Sequence, residues 1–171
     1  MLLKIAGIIL ICTSSTFLGI YHVIKIKFHI DDLRQLSNAL CLLKSEIEFG
    51  ITPLNEACKN ISQRSNYFVQ EIFFDMYQLF SLKTLCAQKI WLSSINKLKK
   101  TFIDNEDIEL IKSFANVISN LDRFLQINCL TKIENEIQKK ISILQKQYQN
   151  EKKLYYNLGF LLGLLTITIF I

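Results

Sequence analysis

The sequence predicts an all-α protein, a cytoplasmic bundle of about six helices flanked by N- and C-terminal transmembrane helices. Long uncharged apolar runs occupy both ends of the chain. Between them, apolar residues recur at spacings of three and four, and no segment shows the alternation of a strand. We therefore expect an anchor at 1–25, a helical domain at 26–154 and a second transmembrane helix at 155–171.

The two end runs are long enough to cross a bilayer. Ile5–Ile24 holds 20 uncharged residues and Tyr155–Ile171 holds 17, against a hydrocarbon core of about 30 Å. The first run is too long for a cleaved signal peptide, so we interpret it as an uncleaved anchor. Both inner flanks are basic, which places the middle of the chain in the cytoplasm. The flanking residues are Lys25, Lys27, Arg34, Lys146, Lys152 and Lys153.

A helical hairpin is expected at the start of the middle segment. An apolar stripe predicts a first helix from about Ile30 to Phe49. Gly50 fits the left-handed cap that ends it, Thr52 can cap the next helix, and Pro53 fits the first turn of that helix. This connection is too short for a domain linker, so we interpret it as a hairpin corner within one domain. The stripe consists of Leu33, Leu36, Leu40, Leu43 and Ile47.

Four further helices are predicted. The third begins at Ser65 or Asn66, and the fourth begins at Thr84. The acidic run Asp104–Asp107 suits the start of the fifth, because negative charge is favourable at a helix N-terminus. The sixth starts near Asp122, which we interpret as a helix cap. No proline or glycine follows it before the C-terminal run, so this helix can continue into the second span.

Large aromatic residues and cysteines are assigned to the core. An exposed remnant among the aromatic residues Phe73, Phe74, Phe80 and Trp91 would instead mark a partner site. The cysteines are odd in number and have no close-spaced pair, so we interpret them as small buried apolar residues. They are Cys12, Cys41, Cys58, Cys86 and Cys129.

The residue pattern predicts no catalytic residue, no cofactor and no metal. Four of the five glycines lie in the end runs, so a phosphate-binding loop is not expected. His22 and His29 have no cysteine or carboxylate to complete a metal site. Glu46 and Glu48 point in different directions from a helix and cannot pair in acid–base catalysis. Lysines dominate the basic residues and are dispersed, which disfavours a nucleic-acid partner.

Gly159 and Gly163 form a G-x-x-x-G pattern in the second apolar run. In lipid, such a pattern allows another helix to approach closely, either the chain's own first span or a partner. The spacing is also frequent by chance in apolar segments, so both interpretations stay open.

Four stretches resemble one protein family. They are "LKIAGIILICTSSTFLGIY", "LKSEIEFGITPLNEA", "SNLD" and "KKLYYNLGFLLGLLTITIFI". In this order and spacing, with both end runs in place, they resemble the stage III sporulation protein AB family of endospore-forming bacteria. The likeness extends over the whole chain, and the Gly50 to Ala57 corner is among its most specific parts.

This resemblance implies a soluble domain similar to the cytoplasmic F domain of type II secretion platform proteins. It also implies a non-enzymatic platform in the channel between mother cell and forespore. The domain would face the mother-cell cytoplasm at the outer forespore membrane and couple a secretion-type ATPase to other membrane subunits. We expect the ATPase to meet the membrane-distal hairpin corner, with Glu46, Glu48 and Glu56 as polar contacts. A homo-oligomer is left open, and the alternative is a general membrane-tethered scaffold or signalling adaptor unrelated to sporulation.

Overall fold

The described part of the chain consists of helices and short connections. The computed structural model describes residues 2–49, 53–65, 67–82, 85–120 and 122–170, without the side chains at 2–6, 8–19, 100, 156 and 159–170. These residues form six α-helices and two 3-10 segments and contain no strand, as the prediction of an all-α fold requires. The helices are α1 (Leu2–Phe49), α2 (Leu54–Arg64), α3 (Tyr67–Leu82), α4 (Ala87–Ile95), α5 (Asn105–Lys112) and α6 (Arg123–Phe170), and the 3-10 segments are Asn96–Lys100 and Ser113–Asn116.

The chain divides into two compact units. The first comprises Met1–Ile30 and Ser142–Ile171, and the second comprises Asp31–Ile141. The predicted domain boundaries after residues 25 and 154 fall inside α1 and α6, each of which is one continuous helix. These boundaries stay predictions.

In the first unit, α1 and α6 meet through a polar contact between His22 and Glu151. His22 Nε2 lies 3.4 Å from Glu151 Oε2, and Gln147 donates a hydrogen bond of 2.8 Å to the other carboxylate oxygen. Within the described residues, no helix combines the length and the apolar character that a membrane crossing needs. Most side chains of the two predicted spans are not among those that the structure describes. The spans therefore stay predictions.

In the second unit, α1 and α6 pair in antiparallel orientation. Lys44 Nζ donates a hydrogen bond of 2.6 Å to Glu134 Oε2, and Gln138 Nε2 donates one of 2.9 Å to Ser37 Oγ. Apolar residues at helical spacing on both helices are buried, and Ile47 is only half-buried. The row on α1 confirms most of the predicted stripe, and α6 contributes a second row. The two rows are Leu33, Leu36, Leu40 and Leu43 on α1, and Leu130, Ile133, Ile137 and Ile141 on α6.

The shorter helices pack against one another in chain order. Helix α2 packs against α3, α3 against α4, and α4 against α5. The Trp91 side chain is fully buried. Its indole Nε1 donates a hydrogen bond of 3.0 Å to the carbonyl of Ile111, and its ring meets Phe114 edge-on, with 5.0 Å between centroids. Trp91 thus lies in the core, as predicted, and joins α4 to α5 and to the 3-10 segment that follows α5.

On helix α3, one of the phenylalanines that were predicted to lie in the core is exposed. Phe73 is fully buried, but Phe74 is 46% exposed and Phe80 is half-buried. The buried residues Val69, Ile72, Phe73 and Met76 mark the inward face. At about 100° per residue, Phe74 lies roughly 150° from the middle of that face and points outward. The assignment of Phe74 to the core was therefore wrong.

The cysteines also differ from the prediction. Cys58 is buried and Cys129 is partly buried, whereas Cys41 and Cys86 are exposed. Cys41 follows the inward-facing Leu40 and turns away with the helical period. Burial raises the pKa of the Cys58 thiol to about 12. Cys12 lies outside the described side chains.

One predicted helix start shifts, one is confirmed and one stays a prediction. Helix α4 begins at Ala87, so Leu85 precedes it and is exposed instead of contributing to its apolar face. Helix α3 begins at Tyr67, while the proposed starts at Asn66 and Thr84 lie outside the described residues. Helix α5 begins as predicted, with two acidic residues in its first turn.

Lys140 connects α6 to the start of α5. Its Nζ lies 2.9 Å from Asp107 Oδ1, 3.6 Å from Asp104 Oδ2 and 3.7 Å from Glu106 Oε2. Burial by itself lowers the pKa of Lys140, but the hydrogen bond and charge of Asp107, with the charges of Asp104 and Glu106, outweigh it and raise the pKa. Asp107 is buried, so this contact is well shielded from water.

We expect Trp91→Phe to destabilise the second unit by about 2 kcal/mol, because it leaves the buried carbonyl of Ile111 without its indole donor. Urea unfolding of the full chain, followed by circular dichroism, measures the loss. Trp91→Ala, which also opens a cavity, should cost about 3–5 kcal/mol. Equal stability of Trp91→Phe and the unmodified chain would show that the hydrogen bond contributes little.

We expect the free energy of unfolding to fall above about pH 10.5. The hydrogen bond with Glu134 raises the pKa of Lys44, and that of Lys140 is also raised. A raised lysine pKa adds stability that is complete below the unfolded value, near 10.4, and is lost as the pH rises through the folded value.

The measurement is urea unfolding between pH 8 and pH 12 for the unmodified chain and for the Lys44→Met/Lys140→Met variant. The variant should be less stable at pH 8 and should lose less stability on going to pH 12. Lys132→Met, at an exposed lysine of α6, is the control. Identical pH profiles for all three proteins would contradict the assignment.

Candidate functional site

A small cleft opens in the second unit where α1 ends and α2 and α6 begin. Its volume is about 130 Å³. Ligand pockets usually measure about 300–1,000 Å³, so the cleft is too small for a nucleotide or a typical metabolite. It suits one or two side chains of another polypeptide. The lining residues are Glu46, Ile47, Leu54, Ala57, Ile118, Arg123 and Gln126.

The α1–α2 side of this end contains the predicted contact residues. Asn60 Nδ2 on α2 donates a hydrogen bond of 3.3 Å to Glu46 Oε1 on α1, which holds the two helices together at the cleft. Glu46 is half-buried, whereas Glu48 and Glu56 are exposed. The structure thus places one of the three glutamates in the cleft wall and two on the surface of the same two helices.

The corner between α1 and α2 differs from the prediction in one respect. Pro53 is the N-cap residue of α2 and lies outside its first turn, and its carbonyl accepts a hydrogen bond of 3.0 Å from Ala57 N. Proline has no side-chain group that could cap the helix. Gly50 and Thr52 lie outside the described residues, so their predicted roles stay predictions. Gly159 and Gly163 belong to α6, but their packing also lies outside the description.

The α6 side of the cleft is fixed by a network of hydrogen bonds. Asp122 caps α6, because its Oδ1 accepts a hydrogen bond of 2.9 Å from Phe124 N. Asn120 Oδ1 accepts one of 3.0 Å from Asp122 N. Gln126 Nε2 lies 3.3, 3.1 and 2.7 Å from the carbonyls of Val117, Ile118 and Asn120. The predicted cap at Asp122 is confirmed, and it positions Arg123 at the cleft.

Two aromatic residues next to the cleft are exposed. Phe49 ends α1 and is 81% exposed, and Phe124 follows Arg123 and is 70% exposed. Aromatic residues and arginine are enriched at interface positions that dominate binding energy. Together with Arg123 and the three glutamates, they form a group of residues at the ends of α1, α2 and α6 that meet at the cleft, and this group is aromatic and mainly acidic. We call this the cleft surface.

The sequence predicted only part of this surface. It identified the glutamates and the cap at Asp122, but not the roles of Arg123, Phe124 and Gln126. The exposure of Phe124 could have been predicted, because it lies just after the predicted helix start near Asp122. A side chain in the first turn of a helix has few neighbours on its own helix. The sequence around Gln126 does not predict its hydrogen bonds, because they depend on the path of the preceding turn.

The fold and the cleft surface define a small all-α protein whose described site suits contact with another polypeptide. The comparisons with known proteins specify the class further. A family model described as Stage III sporulation protein AB matches residues 4–171, and the chain therefore belongs to the stage III sporulation protein AB family.

Two individual relatives agree with this assignment. Stage III sporulation protein AB of Bacillus subtilis (strain 168) is 26% identical over 168 residues, which cover 97% of this chain and 98% of the relative. A solved structure of stage III sporulation protein AB matches with a TM-score of 0.66 at 22% identity, covering 71% of this chain and 97% of the other. The structural match shows a common fold and confirms the predicted helical bundle.

We expect Asp122→Ala to cost about 1 kcal/mol of stability, the usual value of a helix N-cap. It should also accelerate amide hydrogen exchange at Phe124. Asn135→Ala, at an exposed position inside α6, is the matched control and should change neither quantity. Unchanged exchange at Phe124 in Asp122→Ala would show that Asp122 does not hold the start of the helix.

Proposed function

We propose that this chain is a non-enzymatic platform subunit of the channel complex between mother cell and forespore. In this role it couples a secretion-type ATPase to membrane components of the complex. Family membership supports the assignment to sporulation, and the names of its relatives describe sporulation proteins and no enzyme. The ATPase and the other membrane subunits are the proposed partners, and the bilayer is the proposed site of attachment.

One observation carries the coupling part of the proposal. The helices that line the cleft with Glu46 and Arg123 are α1 and α6, and the same two helices contain the predicted membrane spans. Each runs without interruption, α1 through Leu2–Phe49 and α6 through Arg123–Phe170. A push or rotation at the cleft surface is therefore applied directly to helices that lead towards the predicted anchors. A flexible linker would dissipate such a displacement.

The cleft surface supports a protein partner rather than a small ligand. Its cleft of about 130 Å³ accepts a side chain, and the exposed rings of Phe49 and Phe124 offer apolar area beside it. The glutamates favour a partner segment that presents lysine or arginine next to an apolar residue. Complementary charge of this kind increases both the association rate and the specificity.

The ends of the chain support attachment to a membrane. Ile5–Ile24 and Tyr155–Ile171 are uncharged and have basic inner flanks, which favours a cytoplasmic position of the second unit. The contact between His22, near the end of the first run, and Glu151, near the start of the second, joins α1 and α6. It supports an arrangement in which the two spans enter the bilayer side by side, where the glycines of the G-x-x-x-G pattern would allow close packing.

The proposal predicts that the full chain in detergent micelles binds the secretion-type ATPase of the same organism. The Glu46→Lys/Glu48→Lys/Glu56→Lys variant should bind at least tenfold more weakly, because it reverses the charge that the basic segment meets. Surface plasmon resonance with and without ATP measures the affinity and its dependence on the nucleotide state.

A matched control has the same change of net charge at other positions of the second unit. Asp31→Lys/Glu109→Lys/Glu136→Lys serves this purpose and should bind normally. Equal binding by both triple variants would refute the contact assignment. Failure of the unmodified chain to bind the ATPase would refute the coupling role.

A further inference from the structure

One face of α3 is exposed along the whole helix and contains three large apolar residues. Tyr67 is 80% exposed, Phe74 46% and Leu82 65%. At 100° per residue they fall within about 80° of one another around the helix axis. Val69, Ile72, Phe73 and Met76 occupy the opposite face and are buried. We call the exposed side the α3 face.

The polar residues of the α3 face carry little charge. Glu71 and Gln78 lie in the same narrow sector and are exposed, and Glu71 is the only formally charged residue among them. Two charged residues beside this face have partners of their own. Asp75 forms an ion pair with Lys97, and Lys59 Nζ lies 5.6 Å from the Tyr77 ring centroid. The α3 face therefore suits a nearly neutral, half-apolar partner and differs from the acidic cleft surface.

The order of these residues is symmetric about Phe74. When a second copy of the helix is laid antiparallel on the first with Phe74 near the two-fold axis, Tyr67 of each copy lies opposite Leu82 of the other. In the same register, Glu71 of each copy lies opposite Gln78 of the other. A glutamine amide can donate to a carboxylate, and such charge-assisted hydrogen bonds are stronger than neutral ones. In this register each apolar residue lies opposite an apolar residue of the other copy, and Glu71 lies opposite the hydrogen-bond donor Gln78.

We propose that the α3 face binds the α3 face of a second copy of this chain around a two-fold axis. A two-fold interface uses the same patch on both subunits, so the patch must be complementary to itself. The α3 face meets this condition in both its apolar and its polar positions. The proposal goes beyond the coupling function and does not depend on it.

The backbone at Tyr67 is a second, independent observation. Its φ is 53°, in the left-handed region that a bulky residue rarely adopts. Strain of this kind persists where the surrounding structure needs the conformation, often at binding sites. Here it occurs at the most exposed of the three apolar residues, at one end of the α3 face.

The size of the surface limits the strength of the association. An aromatic side chain has about 150–250 Å² of surface, so Tyr67 and Phe74 together leave roughly 250 Å² in water, to which Leu82 adds. Two copies bury less than the ~1,200 Å² of a standard interface. We therefore expect a weak dimer, with a dissociation constant on the order of 100 μM for the pair of faces.

Sedimentation equilibrium of the full chain in detergent micelles, over a range of protein-to-detergent ratios, tests the register. Gln78→Glu places two carboxylates opposite each other and should weaken dimerisation at least tenfold. Gln78→Lys places an ammonium opposite Glu71 and should strengthen it severalfold. Combining Gln78→Glu with Glu71→Lys reverses the pair and should restore association. All three substitutions lie at exposed positions, so they leave the core intact.

Phe74→Asp and Phe124→Asp provide the matched comparison between the two exposed surfaces. Phe74→Asp should abolish dimerisation and keep ATPase binding, whereas Phe124→Asp should keep dimerisation. A monomeric unmodified chain at all ratios would overturn the proposal. A dimer that is insensitive to both Phe74→Asp and Gln78→Glu would overturn it as well, because association would then use another surface, such as the region of Gly159 and Gly163.

Discussion

The antiparallel pairing of α1 and α6 in the second unit constrains everything else in that unit. Its two polar contacts join residues 90 and 101 positions apart in the chain, and leucine and isoleucine rows are buried on both helices. Closing so long a loop has an entropic cost that these buried rows must offset. Once the pair forms, the end of α1 and the start of α6 come together, and the cleft exists because they do. The four shorter helices then have to complete the bundle between these two fixed ends.

Trp91 connects this constraint to the position of the cleft. Its hydrogen bond to Ile111 fixes α4 against α5, and its edge contact with Phe114 fixes α4 against the 3-10 segment after α5. That segment leads into the turn whose carbonyls lie within hydrogen-bond distance of Gln126. A buried tryptophan in the core thus determines the path of a surface turn, and the turn fixes the residues that line the cleft. Stability and the geometry of the candidate site are parts of one connected structure.

The second unit presents two exposed surfaces of different chemistry. The cleft surface is acidic and aromatic, and it lies on the two helices that contain the predicted spans. The α3 face is nearly neutral and symmetric about Phe74. A partner with basic residues suits the first surface, and a second copy of the chain suits the second. Because the surfaces share no residue, both partners could be bound at once, which is a useful property in a subunit proposed to connect a motor to a membrane complex.

The sequence by itself determined the all-α class, most of the buried row on α1, the acidic start of α5, the cap at Asp122 and the family. Each of these depends on local periodicity, on the preference of a helix end or on a motif of adjacent residues. Only the tertiary structure decided that Phe74, Cys41 and Cys86 are exposed, that Pro53 precedes the first turn of α2, and that Glu46 and Arg123 line one cleft. The physical reason is that burial and proximity are set by contacts between residues far apart in the chain, and a local pattern contains no information about which segment covers which.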